Sequence, residues 1–116
     1  ENFFSLLDEI EKKHNKPLDR LDALISVFEN VLDDDKLCLC GMLASDNAIL
    51  DDVTKNHTKN FFETVEQWIE KNTNELGLDK NLSKIIISSL EGAMLIDKLY
   101  NKSERLKALR VWIKTL

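Results

Sequence analysis

The most constraining feature of this sequence is the stretch Leu82 to Tyr100, LSKIIISSLEGAMLIDKLY, which predicts a helix with apolar or small side chains around almost its whole circumference. Its charged residues Lys84, Glu91 and Lys98 recur every seven positions and therefore share one narrow line of the helix surface. A helix that is apolar on nearly every side must be buried on nearly every side. Because so short a chain has limited means to cover such a helix alone, we expect one face to pack within the chain and another to meet a partner.

A patch of small residues lies within this helix and marks the face expected to meet the partner. Ser88, Ser89, Gly92 and Ala93 form the patch, although Gly inside a helix costs about 1 kcal/mol relative to Ala. We therefore expect a close approach of another helix at Gly92.

Composition favours a single all-α domain spanning residues 1–116. The chain is 43% hydrophobic and has three Gly and one Pro, which favours long helices over turn-rich β structure. Its net charge is −5, and it has no Lys/Arg cluster with which to neutralise a phosphate backbone. Its apolar runs are shorter than the roughly 20 residues of a membrane span. We expect no DNA binding by this chain alone and no membrane insertion.

Apolar residues at helical spacing divide the chain into a bundle of about six helices. The first ends near His14, and the second runs from Pro17 to the acidic Asp33 to Asp35, with a stripe that includes Leu21, Ile25 and Phe28. A short helix is expected in KLCLCGMLASDN, and a long one from about Ile49 to Leu76. Gly77 is predicted to cap the long helix, Asp79 to start the next, and Ser103 to cap the last.

The thiols and imidazoles offer few sites for chemistry. Cys38 and Cys40 suit a reducing cytosol better than a disulfide scaffold, so we expect a cytoplasmic protein. Buried, inert thiols are the favoured interpretation, although an oxidant sensor stays open. His57 shares a helix face with Phe61 and Trp68, which makes it either a polar contact in an apolar pocket or a core histidine. We expect no catalysis, metal or cofactor.

Asp97 lies on the apolar side of its helix. It is expected either to pair with a cation across an interface or, preferably, to reach the surface at the helix end.

Three motifs occur in an order that resembles the C-terminal regulatory domain of TetR-type transcriptional repressors. They are CLCGMLASD from Cys38 to Asp46, NFFETVEQWIE from Asn60 to Glu70, and LEGAMLIDKLYNKSERL from Leu90 to Leu106. The sequence departs from the family pattern where Leu37 replaces Gly, Asp46 replaces Glu, and Lys102-Ser103-Glu104 replaces a Pro-containing cap. The resemblance covers roughly residues 17–116.

The resemblance implies the effector-binding and dimerising half of a repressor. The helix-turn-helix module that reads DNA in that family precedes this domain and is absent from the chain, which begins at Glu1 without an initiator Met and is expected to be a piece of a longer protein. An effector would favour one arrangement of the domain and so alter the spacing of the two DNA-reading modules. Contact with DNA is expected only through that missing module.

The resemblance also implies two sets of site residues. The expected effector contacts are apolar or aromatic residues and one histidine from helices that surround a ligand cavity in similar proteins: Phe28, Met42, His57, Phe61, Val65, Trp68, Leu90 and Met94. The expected homodimer interface is a four-helix contact made by two stripes: Ile85, Ser89, Gly92, Ile96 and Leu99, then Leu106, Leu109, Ile113 and Leu116.

Two other functions fit the residues alone. One is a helical protein-interaction module without a small-molecule pocket, and the other is a redox sensor that uses Cys38 and Cys40.

Overall fold

The computed structural model of the protein describes residues 3–33 and 52–116, and every element in these ranges is a helix. The five helices are α1 (Phe3–Lys13), α2 (Pro17–Asp33), α3 (Asp52–Glu75), α4 (Leu82–Tyr100) and α5 (Glu104–Ile113). The all-α prediction is confirmed, with five helices rather than about six in the described ranges. The short helix predicted in KLCLCGMLASDN lies outside the described residues.

The centre of the bundle is α2, which packs against α1, α3, α4 and α5. Its predicted apolar stripe is confirmed, since Leu21, Ile25 and Phe28 are at most 3% exposed. These residues recur three or four positions apart, so they form one continuous ridge that the surrounding helices cover. The most apolar helix, α4, packs against α2 and makes its most extensive contacts with α3 and α5.

Residues with positive φ end the two longest described helices, α3 and α4. Gly77, at φ 73°, donates its N–H to the Asn74 carbonyl, and the Leu78 N–H bonds to the Thr73 carbonyl at 3.0 Å. This arrangement satisfies carbonyls at the end of α3 and confirms the predicted Gly cap. Asn101, at φ 54°, ends α4 in the same left-handed conformation, which Asn tolerates better than most residues.

The helix α4 begins at Leu82, three residues after Asp79, which was predicted to start it. The Asp79 carboxylate accepts the Asn81 N–H at 2.7 Å, and its carbonyl accepts the Leu82 N–H at 3.0 Å. A short side chain that bonds two residues ahead forms a turn rather than a direct helix cap. Asp79 therefore sets the loop that leads into α4.

The opposite sides of α4 have different environments, as expected. Ile86, Leu90 and Met94 are at most 1% exposed, whereas Ile96 is 43% and Leu99 is 81% exposed. One face completes the core of this chain while the other leaves large apolar side chains in contact with water. Among the described helices, none is long and apolar enough to span a membrane.

Candidate functional site

Four of the predicted effector contacts meet in the core. Phe28, Val65, Leu90 and Met94 are all at most 3% exposed and belong to one hydrophobic cluster, which brings α2, α3 and α4 together. Phe61 and Trp68 are half-buried and pack against the same cluster. The eighth predicted contact, Met42, lies outside the described residues, as do Cys38 and Cys40.

Phe61 faces towards α1 as well as the core. Its ring centroid lies 6.2 Å from that of Phe4 on α1 and 5.5 Å from that of Phe62, which it meets edge-on. Such tilted and edge-on contacts are favourable aromatic geometries. Phe61 therefore lies between α1 and the core.

The indole nitrogen of Trp68 is a buried donor, and it has no acceptor among the described residues. Leaving such a donor unsatisfied costs about 1–3 kcal/mol. The neighbouring polar residue on this face, Asn72, is fully buried. Its side-chain NH₂ donates to the Trp68 carbonyl, and its side-chain oxygen accepts from the Arg20 guanidinium, so this oxygen is not the acceptor of the indole N–H. A hydrogen-bond acceptor supplied by another molecule would offset this cost.

The structure corrects the prediction for His57. Its side chain is exposed, so it is neither a core histidine nor a contact inside a buried pocket. The face of α3 that turns inward is centred on Thr58, Val65 and Ile69, which are buried. His57 lies a quarter-turn or more from that centre, where the helix surface meets water.

The predicted dimer stripe on α4 is exposed in the single chain. Ile85 is 53% exposed, Ile96 and Leu99 are also exposed, and Ser89 and Gly92 are half-buried between them. Among the described residues, a Cβ built on Gly92 has nothing within 4 Å. Packing among these residues therefore gives no reason for glycine at this position.

The predicted stripe on α5 requires correction. Leu106, Leu109 and Ile113 are at most 9% exposed and form part of the core of this chain, and Leu116 packs against them half-buried. Their apolar surface is already covered, so little of it remains for a partner. The opposite side of α5 instead exposes Val111 and Trp112, at 67% and 38%.

A buried carboxylate joins α4 to α5. Asp97 is fully buried and accepts the backbone N–H groups of Arg105 at 3.1 Å and Leu106 at 3.0 Å. The Arg105 guanidinium, which also lies 4.7 Å from the Tyr100 ring centroid, adds an ion pair at 3.3 Å. Asp97 therefore caps α5 in place of Ser103, whose side chain makes no capping bond. Both earlier expectations for Asp97 are wrong, because its cation belongs to the same chain and its side chain does not reach the surface.

A second polar junction joins α5 to α2. The Arg110 guanidinium donates to the carboxylates of Asp22 and Glu29 and to the Ser26 hydroxyl at 3.0 Å. Burial alone would lower the pKa of Arg110, but its hydrogen bonds and charge interactions with Glu29 and Asp22 outweigh burial and raise this pKa above its ordinary value. Arg110 thus stays charged and holds α5 against the central helix.

An apolar cavity lined by Phe61, Trp68, Leu90 and Met94 was expected between α3 and α4, but the groove that the structure describes between these helices has other walls. It has a volume of about 320 Å³ and is lined by Phe62, Glu66, Ile87, Ser88 and Glu91, none of which belongs to either predicted set. The i, i+4 spacing of Phe62 with Glu66 and of Ile87 with Glu91 was visible in the sequence. The lateral position of one helix against the other, which brings the two pairs together, was not.

Comparison with solved structures identifies the architecture. A TetR transcriptional regulator from Legionella pneumophila matches this chain with a TM-score of 0.82 and 29% sequence identity. The chain has a TetR-type fold. The match covers 96% of this TetR-like chain and 63% of the regulator, so the chain spans less than two thirds of that protein's length. No family model and no curated protein matches the sequence.

Proposed function

We propose that this TetR-like chain is the regulatory part of a transcriptional regulator, which forms a two-fold dimer and binds a small apolar or amphipathic effector. The observation that carries the proposal is the exposed face of α4, where large apolar side chains flank a glycine that no contact among the described residues requires. The TetR-type fold and the likeness to a transcriptional regulator support the regulatory role.

The dimer proposal follows from the energetics of Gly92. A glycine inside a helix costs about 1 kcal/mol relative to alanine, and no neighbour in residues 3–33 or 52–116 excludes a methyl group at this position. A partner helix that approaches closely would explain why no side chain is present. Ile85 and Ile96 share its side of α4 and are more than two-fifths exposed, so the partner would also cover apolar surface.

The last helix contributes a different surface from the predicted one. Val111 and Trp112 are exposed, whereas the predicted stripe of α5 is committed to the core. Large exposed apolar side chains are the residues that dimer interfaces favour, and Trp is enriched among those that contribute most to binding. We propose that a symmetry-related copy covers these two residues together with the exposed face of α4.

The effector proposal is supported by the cluster that joins α2, α3 and α4. Val65, Leu90 and Met94 supply apolar surface suited to an apolar body, and the unsatisfied Trp68 indole donor suits an effector with a hydrogen-bond acceptor. Such an effector would shift the population of domain arrangements only to the extent that it binds one arrangement more tightly than another.

The dimer proposal is tested by light scattering after size exclusion of the parent protein, one Gly92 variant and one control variant. The parent should be dimeric at tens of micromolar, about the regime in which a micromolar interface still holds. Gly92→Leu should weaken the dimer by inserting a bulky side chain where helices meet, while Gln67→Leu, on an exposed position of α3, should leave it unchanged. A parent that is monomeric at this concentration refutes the dimer.

Gly92→Ala gives a sharper test, because its effect on the free energy of unfolding should differ between the dilute monomer and the concentrated dimer. In the dilute monomer it should raise the free energy of unfolding by about 1 kcal/mol, since its Cβ meets open space within the chain. In the concentrated dimer this gain should be reduced or reversed by crowding at the helix contact. The same gain at every concentration would remove Gly92 from the interface.

A further inference from the structure

We propose that the buried carboxylate of Asp97 is a positioning group for the dimer surface, because it sets the placement of α5 on α4 and so the surface that a second copy covers. The inference rests on the proposed dimer and names a residue that controls its affinity. Because Asp97 is fully buried, it cannot contact a partner itself. It acts on the interface only through the two helices that it joins.

The proposed interface combines side chains from both of these helices. Ile96 and Leu99 are exposed on the last turns of α4, and Val111 and Trp112 are exposed on α5. A second copy can cover all four together only if α5 keeps its rotation and its axial position relative to α4. At the outer radius of a helix, about 5–6 Å, a rotation of about 20° moves a side chain by about 2 Å. A gap of about 0.5–1 Å already removes a quarter to a half of a van der Waals attraction, so the interface depends on this placement.

Both carboxylate oxygens of Asp97 hold the first turn of α5. Oδ1 accepts the Arg105 N–H at 3.1 Å, and Oδ2 accepts the Leu106 N–H at 3.0 Å. The Asp97 backbone carbonyl also accepts the Lys102 N–H at 2.9 Å, which holds the turn between the two helices. Hydrogen bonds weaken steeply when their angle departs from linearity. Two N–H groups bonded to two different oxygens therefore fix both the rotation and the axial position of α5.

The apolar contacts of α5 are less directional than these bonds. Leu106, Leu109 and Ile113 are buried in the core, but the free energy of burial depends on the apolar area removed from water and not on orientation. The Arg110 junction ties α5 to α2 rather than to α4. The Asp97 bonds therefore select one placement of α5 on α4 among those that apolar burial accepts, a role that buried polar groups have in some proteins.

Asp97→Asn tests the proposal, with Ile10→Val as a control that perturbs a distant part of the core. In Asp97→Asn one oxygen becomes an NH₂ donor facing an N–H of α5, so the first turn has to move. Ile10→Val removes one methyl group from a buried side chain of α1, which packs against α2. Sedimentation equilibrium at a temperature where both variants are folded should show a dimer dissociation constant raised about three- to tenfold by Asp97→Asn and less than about twofold by Ile10→Val.

The outcomes separate this inference from the dimer proposal. A parent chain that is monomeric at tens of micromolar, about the regime in which a micromolar interface still holds, refutes the dimer and the positioning role with it. A dimeric parent in which Asp97→Asn weakens association no more than Ile10→Val refutes the positioning role alone, because general loss of stability then accounts for the effect.

A second measurement follows α5 in the single chain. In the Gly92→Leu background, in which the proposed dimer is weakened, Asp97→Asn should change the backbone amide chemical shifts along α5 as far as Val111 and Trp112. Ile10→Val in the same background should leave these shifts unchanged. Changes confined to the first turn of α5 would show that the helix keeps its placement without the carboxylate, and would overturn the proposal.

Discussion

At the scale of single residues, Asp97 shows why a cap is hard to find from sequence. Capping residues normally lie directly before the helix, which makes Ser103 the obvious choice for α5. The structure instead uses a carboxylate eight residues before Arg105, brought there by the left-handed turn at Asn101. The two helices on either side of this turn are thereby fixed at one buried point.

We expect Asp97→Ala to lower the free energy of unfolding by about 2–3 kcal/mol, because it leaves two buried or half-buried N–H groups without an acceptor. Asp97→Asn retains one side-chain oxygen and should cost less. Ser103→Ala should change stability by no more than about 0.5 kcal/mol, since the Ser103 hydroxyl makes no capping bond. Urea unfolding of the three variants measures the differences, and a larger loss in Ser103→Ala than in Asp97→Ala would contradict the assignment.

At the scale of elements, the spacing of apolar residues predicted helices well but could not always say which surface covers them. The inner and outer faces of α4 followed from the sequence because charged residues and the small-residue patch separate them. In α5, Leu106 and Ile113 point inward while Val111 and Trp112 remain exposed, yet all four are apolar. A pattern of hydrophobicity alone does not distinguish a core of the chain from a surface awaiting a partner.

The junction between α5 and α2 gives the prediction at this scale. Arg110→Met should lower the free energy of unfolding by about 1–3 kcal/mol, because it leaves the Asp22 and Glu29 carboxylates without their shared cation. Lys107→Met, on an exposed position of α5, is the matched control and should be near neutral. Chemical unfolding compares the two variants. Equal losses of unfolding free energy would show that removing a positive charge from α5, and not breaking this junction, lowers the stability.

The pH dependence of this junction has a defined sign. Because the folded state raises the pKa of Arg110, the contribution of Arg110 titration to stability is present at every pH below its ordinary value. It is lost only as pH rises through the raised pKa. Arg110 stays protonated in both the folded and the unfolded state between about pH 6 and pH 9. Its titration should therefore not change the difference in unfolding free energy between the parent and Arg110→Met over this range.

At the scale of the whole molecule, the charge and fold lead to a prediction about DNA. The chain has a net charge of −5 and spans 63% of the matched regulator's length. Without a basic surface to neutralise phosphates, it should give no sequence-specific shift of duplex DNA in a low-salt mobility assay. A sequence-specific shift produced by these 116 residues alone would require a different interpretation of the domain.

The TetR-type fold confirms the resemblance that the sequence carried. Four residues predicted as effector contacts lie together in the core, and their effector role stays a prediction. The polar chemistry of the proposed site was visible only in the structure. The buried Trp68 donor depends on how α3 rotates against its neighbours, a property that helical spacing does not specify. The exposure of His57 has the same origin, since a small rotation decides whether a residue at the edge of a face is buried.

The Trp68 donor also supplies the last prediction, which concerns the effector. In a panel of apolar compounds with and without a hydrogen-bond acceptor, we expect at least one acceptor-bearing compound to raise the melting temperature, because a ligand that binds only the folded state stabilises it by mass action. Trp68→Phe should reduce that rise by removing the indole donor, whereas Trp112→Phe, the same change at an exposed position of α5, should preserve it. Equal responses in the two variants would exclude the indole as an effector contact while leaving an apolar pocket in place. No response of the parent to any compound would instead favour a helical protein-interaction module, because the proposed dimer surface and the TetR-type fold require no small-molecule site.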